Sequence, residues 1–278
     1  MWSQLTDIAK KTTGTFLDSG SDSSGKTLTK KFTTSESKSV ALVASAVTAA
    51  IFIKLVNMNN VISGIYDTLI VNMTEKWYRS CLSKLEDGST VLDVGVGTAG
   101  ALLRCLDLVE SKKLKIIGID YNGFYIKSAE KSIEKANASD RISVYELDLY
   151  NEDKVQSLIE KGSIDAVYFS GSFSLLPDPN GALKSILPLL KRDGKVYITQ
   201  TYQKRSPPLL GFFKPLIKYL TTIDFGRLIK VEEIDSFFES NEDFDLISHD
   251  VIEGSVDTYF QAAYMSVLKQ KKSMLRFW

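Results

Sequence analysis

Histidine, cysteine and proline are scarce in this chain: one, two and six among 278 residues. Each scarcity removes a class of explanation. A single histidine, His249, cannot build a His-rich metal centre, and no metal site is expected. Cys81 and Cys105 are too few for a disulfide scaffold and do not stand in a zinc-type spacing. An excess of one charge is missing too. The 34 Lys+Arg balance 34 Asp+Glu, which removes the electrostatic drive of nucleic-acid binding, so no nucleic-acid partner is expected. A membrane span needs about 20 predominantly apolar residues; the best run here, residues 40–53, is shorter, Ala-rich and closed by Lys54. What is present is 44% hydrophobic and 10% aromatic, enough for a substantial core. The length fits one α/β domain with an appendage, or two small domains.

Three regions differ in composition. Residues 1–38 are rich in Ser, Thr and Gly, bury too little apolar surface to offset chain entropy, and read as a disordered extension. Asp7, Asp18, Asp22 and Glu36 argue against an organelle-targeting peptide, and the apolar run begins too late for a secretory signal. Residues 39–58 read as an apolar helix with two open placements: anchored in or on a membrane, with Lys54 snorkelling, or packed against the main domain. The expected location is the cytoplasm or the cytoplasmic face of a membrane. Residues 59–278 read as the main domain.

From residue 88 the pattern alternates. Strands are predicted at 89–96, 114–120, 142–147, 164–169 and 195–199, the last preceded by an Asp193-Gly194 turn. Helices are predicted at 101–110, 124–136 (Tyr125, Ala129 and Ile133 on one face), 155–161 and 181–191, with a closing edge strand within 259–268. Such alternation specifies an α/β fold, a doubly wound and mostly parallel sheet with helices on both faces.

Ligands in such folds bind beyond the carboxyl ends of the strands, so the residues after each strand carry the argument. Strand one runs into Asp93-Val94-Gly95-Val96-Gly97-Thr98-Ala99-Gly100. Gly95 and Gly97 permit positive φ and close ligand approach, and Gly100 lets the next helix pack tightly; alone, this pattern fits several nucleoside sites or a plain turn. Asp93 ends a buried strand, and an unpaired buried carboxylate is costly, so it should meet loop amides or a cationic ligand. Asp120 closes strand two, placed to accept both hydroxyls of a ribose. Asp148 follows strand three and reads either as an acceptor for an adenine amino group or as a turn residue. Ser170 and Gly171 follow strand four and leave room for a ligand.

The series VLDVGVGTAG, IIGIDYN, YELDLYN and IDAVYFSGSFSLLPDP, over about residues 60–200, resembles the class I S-adenosylmethionine-dependent methyltransferases of small molecules and lipids. The resemblance implies a Rossmann-like methyltransferase fold with S-adenosylmethionine as cofactor. It places Gly95, Gly97 and Gly100 around the methionine end with Asp93 in support. It places Asp120 and Tyr121 at the ribose, Asp148 and Leu149 at the adenine, and Ser170 and Gly171 at the donor's amino-acid part. The segment Gly64-Ile65-Tyr66-Asp67, followed by Trp77, looks like the family's entry helix and makes Tyr66 the candidate active-site contact. Where the family often has His-His before Leu-Pro-Asp, this chain has Ser174-Leu175, which counts against histidine-based catalysis.

Methyl transfer is a direct displacement in which positioning supplies most of the rate, worth roughly 7–11 kcal/mol in ideal cases. A weak nucleophile would also need a base. Tyr66, Asp67 and Tyr202 are weak candidates, and His249 reads as a residue of a surface turn. The apolar, lysine-interleaved stretch after strand five, inside a substrate-lid insertion at 201–243, points to a small lipophilic or acidic substrate. Two rival readings share the glycine loop: an NAD-dependent oxidoreductase and a non-catalytic nucleoside-binding module. A Tyr-x-x-x-Lys string at Tyr150–Lys154 follows strand three rather than strand five, which disfavours the first.

Overall fold

The computed structural model describes residues 71–205 and 229–271. The predicted extension 1–38, the apolar helix 39–58, Tyr66 with Asp67, and most of the insertion 201–243 lie outside the described residues.

Near-continuous apolar runs make the central strands, because a strand covered on both faces has no polar side. The sheet contains β1 (Thr90–Val94), β2 (Lys115–Asp120), β3 (Ile142–Glu146), β4 (Ile164–Ser170), β5 (Leu190–Gln203), β6 (Phe244–Val251) and β7 (Gln261–Gln270). Their order is β3-β2-β1-β4-β5-β7-β6. β1 to β5 pair in parallel, and β7 runs antiparallel to both β5 and β6. The order reverses between β1 and β4, so a crevice is expected beyond their carboxyl ends.

The edge strand is β6, not the last one. Ala262, Ala263, Met265, Val267 and Leu268 are all buried, so β7 needs cover on both faces and sits inside the sheet. β6 exposes Asp245, Ile247, Asp250 and Val251 and tolerates the rim. His249 therefore lies on a strand rather than in a turn, paired in register with Ser266.

Helix α1, described over 71–83, and α2 (Gly100–Leu103), α3 (Leu106–Ser111) and α4 (Gly123–Lys135) cover one face. Helices α5 (Glu152–Leu158), α6 (Pro179–Ile186) and α7 (Val231–Glu239) cover the other. Several boundaries depart from the sequence reading. The single helix expected at 101–110 is two, broken at Cys105, which is fully buried with its thiol toward the carbonyls of Ala101 and Glu75. On α4 the buried face is Ile126, Ala129 and Ile133, while Tyr125 is half exposed. α5 begins three residues early because the Asn151 side chain accepts from Lys154 N–H and Glu152 and Asp153 favour the positive helix start. α6 begins at Pro179, capped by Asp178 on Gly181 N–H. β5 starts at Leu190: Ile164 pairs with Leu190 and Ala166 with Lys195, so Asp193-Gly194 forms a bulge within the strand.

Alternation along β1 sets the site. Val91 packs under α1–α4, while Leu92 and Val94 face α5–α7. Period two then turns Asp93 toward the α1 face, into a hydrophobic layer. Burying each Val, Leu or Ile of these layers contributes about 1.5–3 kcal/mol. Gly118 on β2 leaves space for Val96 and Val144: an added Cβ would lie 2.9 Å from Val96 and 3.0 Å from Val144. Gly118→Val should overpack this layer and lower stability by about 1–3 kcal/mol, read as a reduced denaturation midpoint. An unchanged midpoint would show that Val96 and the glycine loop carrying it can move aside freely.

Candidate active site

The loop from β1 to α2 is tied to β2. Gly95 and Val96 N–H both donate to the Ile119 carbonyl, at 2.8 and 3.2 Å. Gly95 has φ +80°, and an added Cβ would meet Ser172 Cβ at 2.6 Å, so only glycine lets the β1 and β4 loops touch. Ser172 Oγ donates to the Val94 carbonyl at 2.5 Å across the same contact. Gly97 has φ +58° and open space where a Cβ would be. Gly100 makes only an ordinary contact with Thr98 and needs no close packing; the left-handed residue before α2 is Ala99, φ 57°.

Asp120 joins this loop to the start of α4. Its Oδ2 accepts from Gly97 N–H at 3.1 Å and its Oδ1 from Asn122 N–H at 2.9 Å. A carboxylate offers about four lone pairs, so both oxygens keep acceptor capacity beside the open Gly97. Asn122 caps α4 by accepting from Phe124 N–H. Tyr121, 80% exposed, stands next to Asp120.

The other sequence-derived residues divide. Asp148 is exposed and closes a turn, its Oδ1 accepting from Tyr150 N–H at 3.0 Å, as the turn reading has it. Leu149 buries its side chain in the core of the α5–α7 face. Gly171, φ +70°, donates its N–H to the Thr199 carbonyl, and the Trp77 ring lies 3.3 Å from where its Cβ would be. Ser170 precedes it at the end of β4. Ser174 and Leu175 belong to a 3₁₀ turn, Phe173–Leu175.

His249 and Tyr202 leave the list of candidate bases. The His249 ring stacks on Tyr264 at 4.6 Å, and its Nδ1 shares a 2.7 Å hydrogen bond with Ser266 Oγ. Burial holds the imidazole below its ordinary pKa. Tyr202 is buried, and burial, with Asp235 nearby, raises its phenol well above the ordinary value, the opposite of what a base needs.

Asp93 is 1% exposed. It meets neither loop amides nor a cation among the described residues. Its Oδ2 accepts a 2.6 Å hydrogen bond from the Tyr78 hydroxyl, and its Oδ1 is buried without a hydrogen-bond partner there. Burial pushes the carboxyl up to about 7; Tyr78 pulls the other way and Asp120 adds to the rise. Tyr78 was missed from the sequence. A signal was present, since Tyr78, Cys81 and Leu82 share the buried helical stripe and a buried phenol needs a partner.

Comparison with known proteins places this architecture. Residues 85–216 match a family model described as a methyltransferase domain. The matched stretch runs from β1 through β5, and over it the chain is similar to methyltransferase domains. Over 152 residues the chain is 30% identical to a demethylmenaquinone methyltransferase of Lactobacillus johnsonii, covering 54% of this chain and 57% of that protein. Over 128 residues it is 28% identical to a sterol 24-C-methyltransferase of Aspergillus fumigatus, covering 44% and 32%. The chain thus spans little more than half the length of the first of these curated relatives and a third of the second. A solved phosphoethanolamine N-methyltransferase 2 of Haemonchus contortus superposes with a TM-score of 0.53 at 15% identity, covering 71% of this chain and 52% of that one, a likeness of fold. Among the described residues no helix is long and apolar enough to cross a membrane.

The burial of Asp93 has a thermodynamic consequence for the fold. A carboxyl whose folded pKa lies near 7, against about 3.9 unfolded, binds its proton more tightly when folded. The stability this gives is full below pH 4 and is lost as pH rises through 7. Asp93→Asn cannot ionise, so relative to the variant the parent should lose on the order of 2–3 kcal/mol between pH 5 and pH 8. Denaturant titrations of both proteins at the two pH values check this; an equal difference at both would show that Asp93 does not titrate there.

Proposed function

We propose that the protein transfers a methyl group from S-adenosylmethionine to a small lipophilic acceptor by direct displacement. One observation carries the reading: Asp120 is bonded to Gly97 of the glycine loop at the point where the strand order reverses. That junction brings a ribose-accepting carboxylate and an open backbone stretch to one crevice. The buried, half-satisfied Asp93 suits a cationic ligand better than a nicotinamide dinucleotide.

In this reading Gly95 and Gly97 bound the methionine end, Asp93 faces its ammonium, and Asp120 with Tyr121 takes the ribose. Asp148 and the Leu149 backbone border the adenine, and Ser170 and Gly171 the amino-acid part. When bound, the donor supplies an electrophilic methyl carbon on a sulfonium. The chain's own part is to fix the crevice, through the Gly95–Ser172 contact and the Asp120 bonds, and to exclude water. Tyr66, from the proposed entry helix, contacts donor or acceptor. A base at the crevice is not part of this reading, which favours an acceptor that is already nucleophilic.

The acceptor class rests on the names of the relatives, a demethylmenaquinone and a sterol methyltransferase, and on the apolar stretches at 40–53 and 209–220. These stretches also support approach to a membrane surface, where such acceptors reside.

Isothermal titration should show binding of S-adenosylmethionine and S-adenosylhomocysteine and none of NAD. Asp120→Ala should weaken that binding at least ~100-fold, the loss of two charge-assisted hydrogen bonds, with the circular dichroism spectrum preserved. Retained affinity in the variant would remove the ribose assignment, and NAD binding would favour the oxidoreductase.

A further inference from the structure

The Tyr78–Asp93 pair sits where helix α1 meets the end of the central strand. The hydroxyl–carboxylate distance is 2.6 Å, and both side chains are buried. The Tyr78 ring is held edge-on by Tyr168 at 5.0 Å, and the Tyr168 hydroxyl is itself bonded to Thr199 Oγ1 at 2.9 Å. The phenol therefore has little freedom, and it fixes one oxygen of Asp93 while leaving the other bare. Among the described residues the titratable groups facing the pair are Cys81 on α1, Asp120 on β2 and Tyr168 on β4. Each is neutral or acidic. A carboxylate in such a place has no cation among the described residues to hold it charged, and two states are close in free energy: ionised with a bare oxygen, or protonated.

Resting on the methyltransferase reading, we infer that Tyr78 is the positioning residue of Asp93 and that a cationic ligand enters this site with release of the Asp93 proton. The balance is simple. The neutral carboxyl gives its proton to solvent, and the carboxylate left behind keeps the Tyr78 bond on Oδ2 while Oδ1 meets the ligand's ammonium. No bond to carbon changes.

Tyr78 stabilises the charged form through its hydrogen bond, so it sets the pH at which the site becomes competent. Without the hydroxyl, the carboxyl holds its proton to higher pH. Burial has already raised this carboxyl to near neutrality, which puts the transition within an accessible range.

S-adenosylhomocysteine, which carries the ammonium, and methylthioadenosine, a nucleoside without it, separate the alternatives. Titrating the parent protein between pH 5.5 and 8 should give a constant S-adenosylhomocysteine affinity above about pH 7 and roughly 20- to 30-fold weaker binding at pH 5.5 than at 7.5. Methylthioadenosine affinity should stay flat. Tyr78→Phe should move the break upward by about one pH unit, so its affinity is reduced at pH 7 and restored by pH 8.5. Asp93→Asn, which does not depend on the phenol, should bind weakly and without pH dependence. A pH-independent S-adenosylhomocysteine affinity in the parent overturns the inference while leaving the methyltransferase reading intact. A Tyr78→Phe defect of equal size at every pH overturns the positioning role. Failure of the parent to bind either nucleoside overturns both inference and reading.

Discussion

Period-two alternation along β1 forces one polar side chain into a hydrophobic layer, and the site is organised around the consequences. Val91 and Asp93 point to the same face; the first packs, the second cannot. A lone buried carboxylate costs several kcal/mol unless it is protonated or matched. The fold supplies one donor, the Tyr78 hydroxyl, and no cation from the described residues. A packed interior would select against such a residue if stability alone decided. It stands at the carboxyl end of β1, beside the point where the sheet order reverses, and in the proposed reading a ligand's ammonium supplies the match that the fold does not.

The rest of the site is tied together around that position. Asp120 accepts from the loop at Gly97 and from Asn122 at the entrance to α4, so one side chain couples the glycine loop to the neighbouring strand–helix corner. Gly95 and Ser172 press the loops after β1 and β4 together so closely that a methyl group would not fit. Gly118 lets Val96 of the same loop anchor in the layer beneath. Loop conformation is thus set by backbone contacts and packing rather than by a ligand, which is the preorganisation a displacement reaction needs.

Much of this was legible in the sequence, for identifiable reasons. β1 to β4 are short apolar runs bounded by turn residues, and the acids after them stand where the topology puts a ligand. The cost of burying Asp93 was also legible, though not the identity of its partner. Tyr78 and Asp93 are 15 residues apart on different elements and meet only through packing of α1 on the sheet. The bulge at Asp193-Gly194 read as a turn because the residue types are the same for both. The position of β7 depends on long-range pairing with β5 and β6, to which local pattern is blind. His249 was misplaced for that reason as well, since its environment of Tyr264, Ser266 and Asp235 comes from two other elements.

Removal of the histidine and of Tyr202 from the catalytic inventory narrows the chemistry. Both lie under α7, in aromatic packing where burial opposes ionisation: the imidazole stays neutral and the phenol stays protonated. Neither can serve as an exposed base at the crevice. A reaction assisted chiefly by position asks little of such groups when the acceptor is a carbanion-like carbon, a thiolate or an amine, and much when it is an alcohol. The proposed reading agrees with this: it gives the acids of the site a cation and sugar hydroxyls to hold, and assigns none of the described residues to withdrawing a proton from the acceptor. In the proposed reading these described residues fit an acceptor that arrives ready to react, with specificity set by the surfaces that bring it to the carboxyl edge of the sheet.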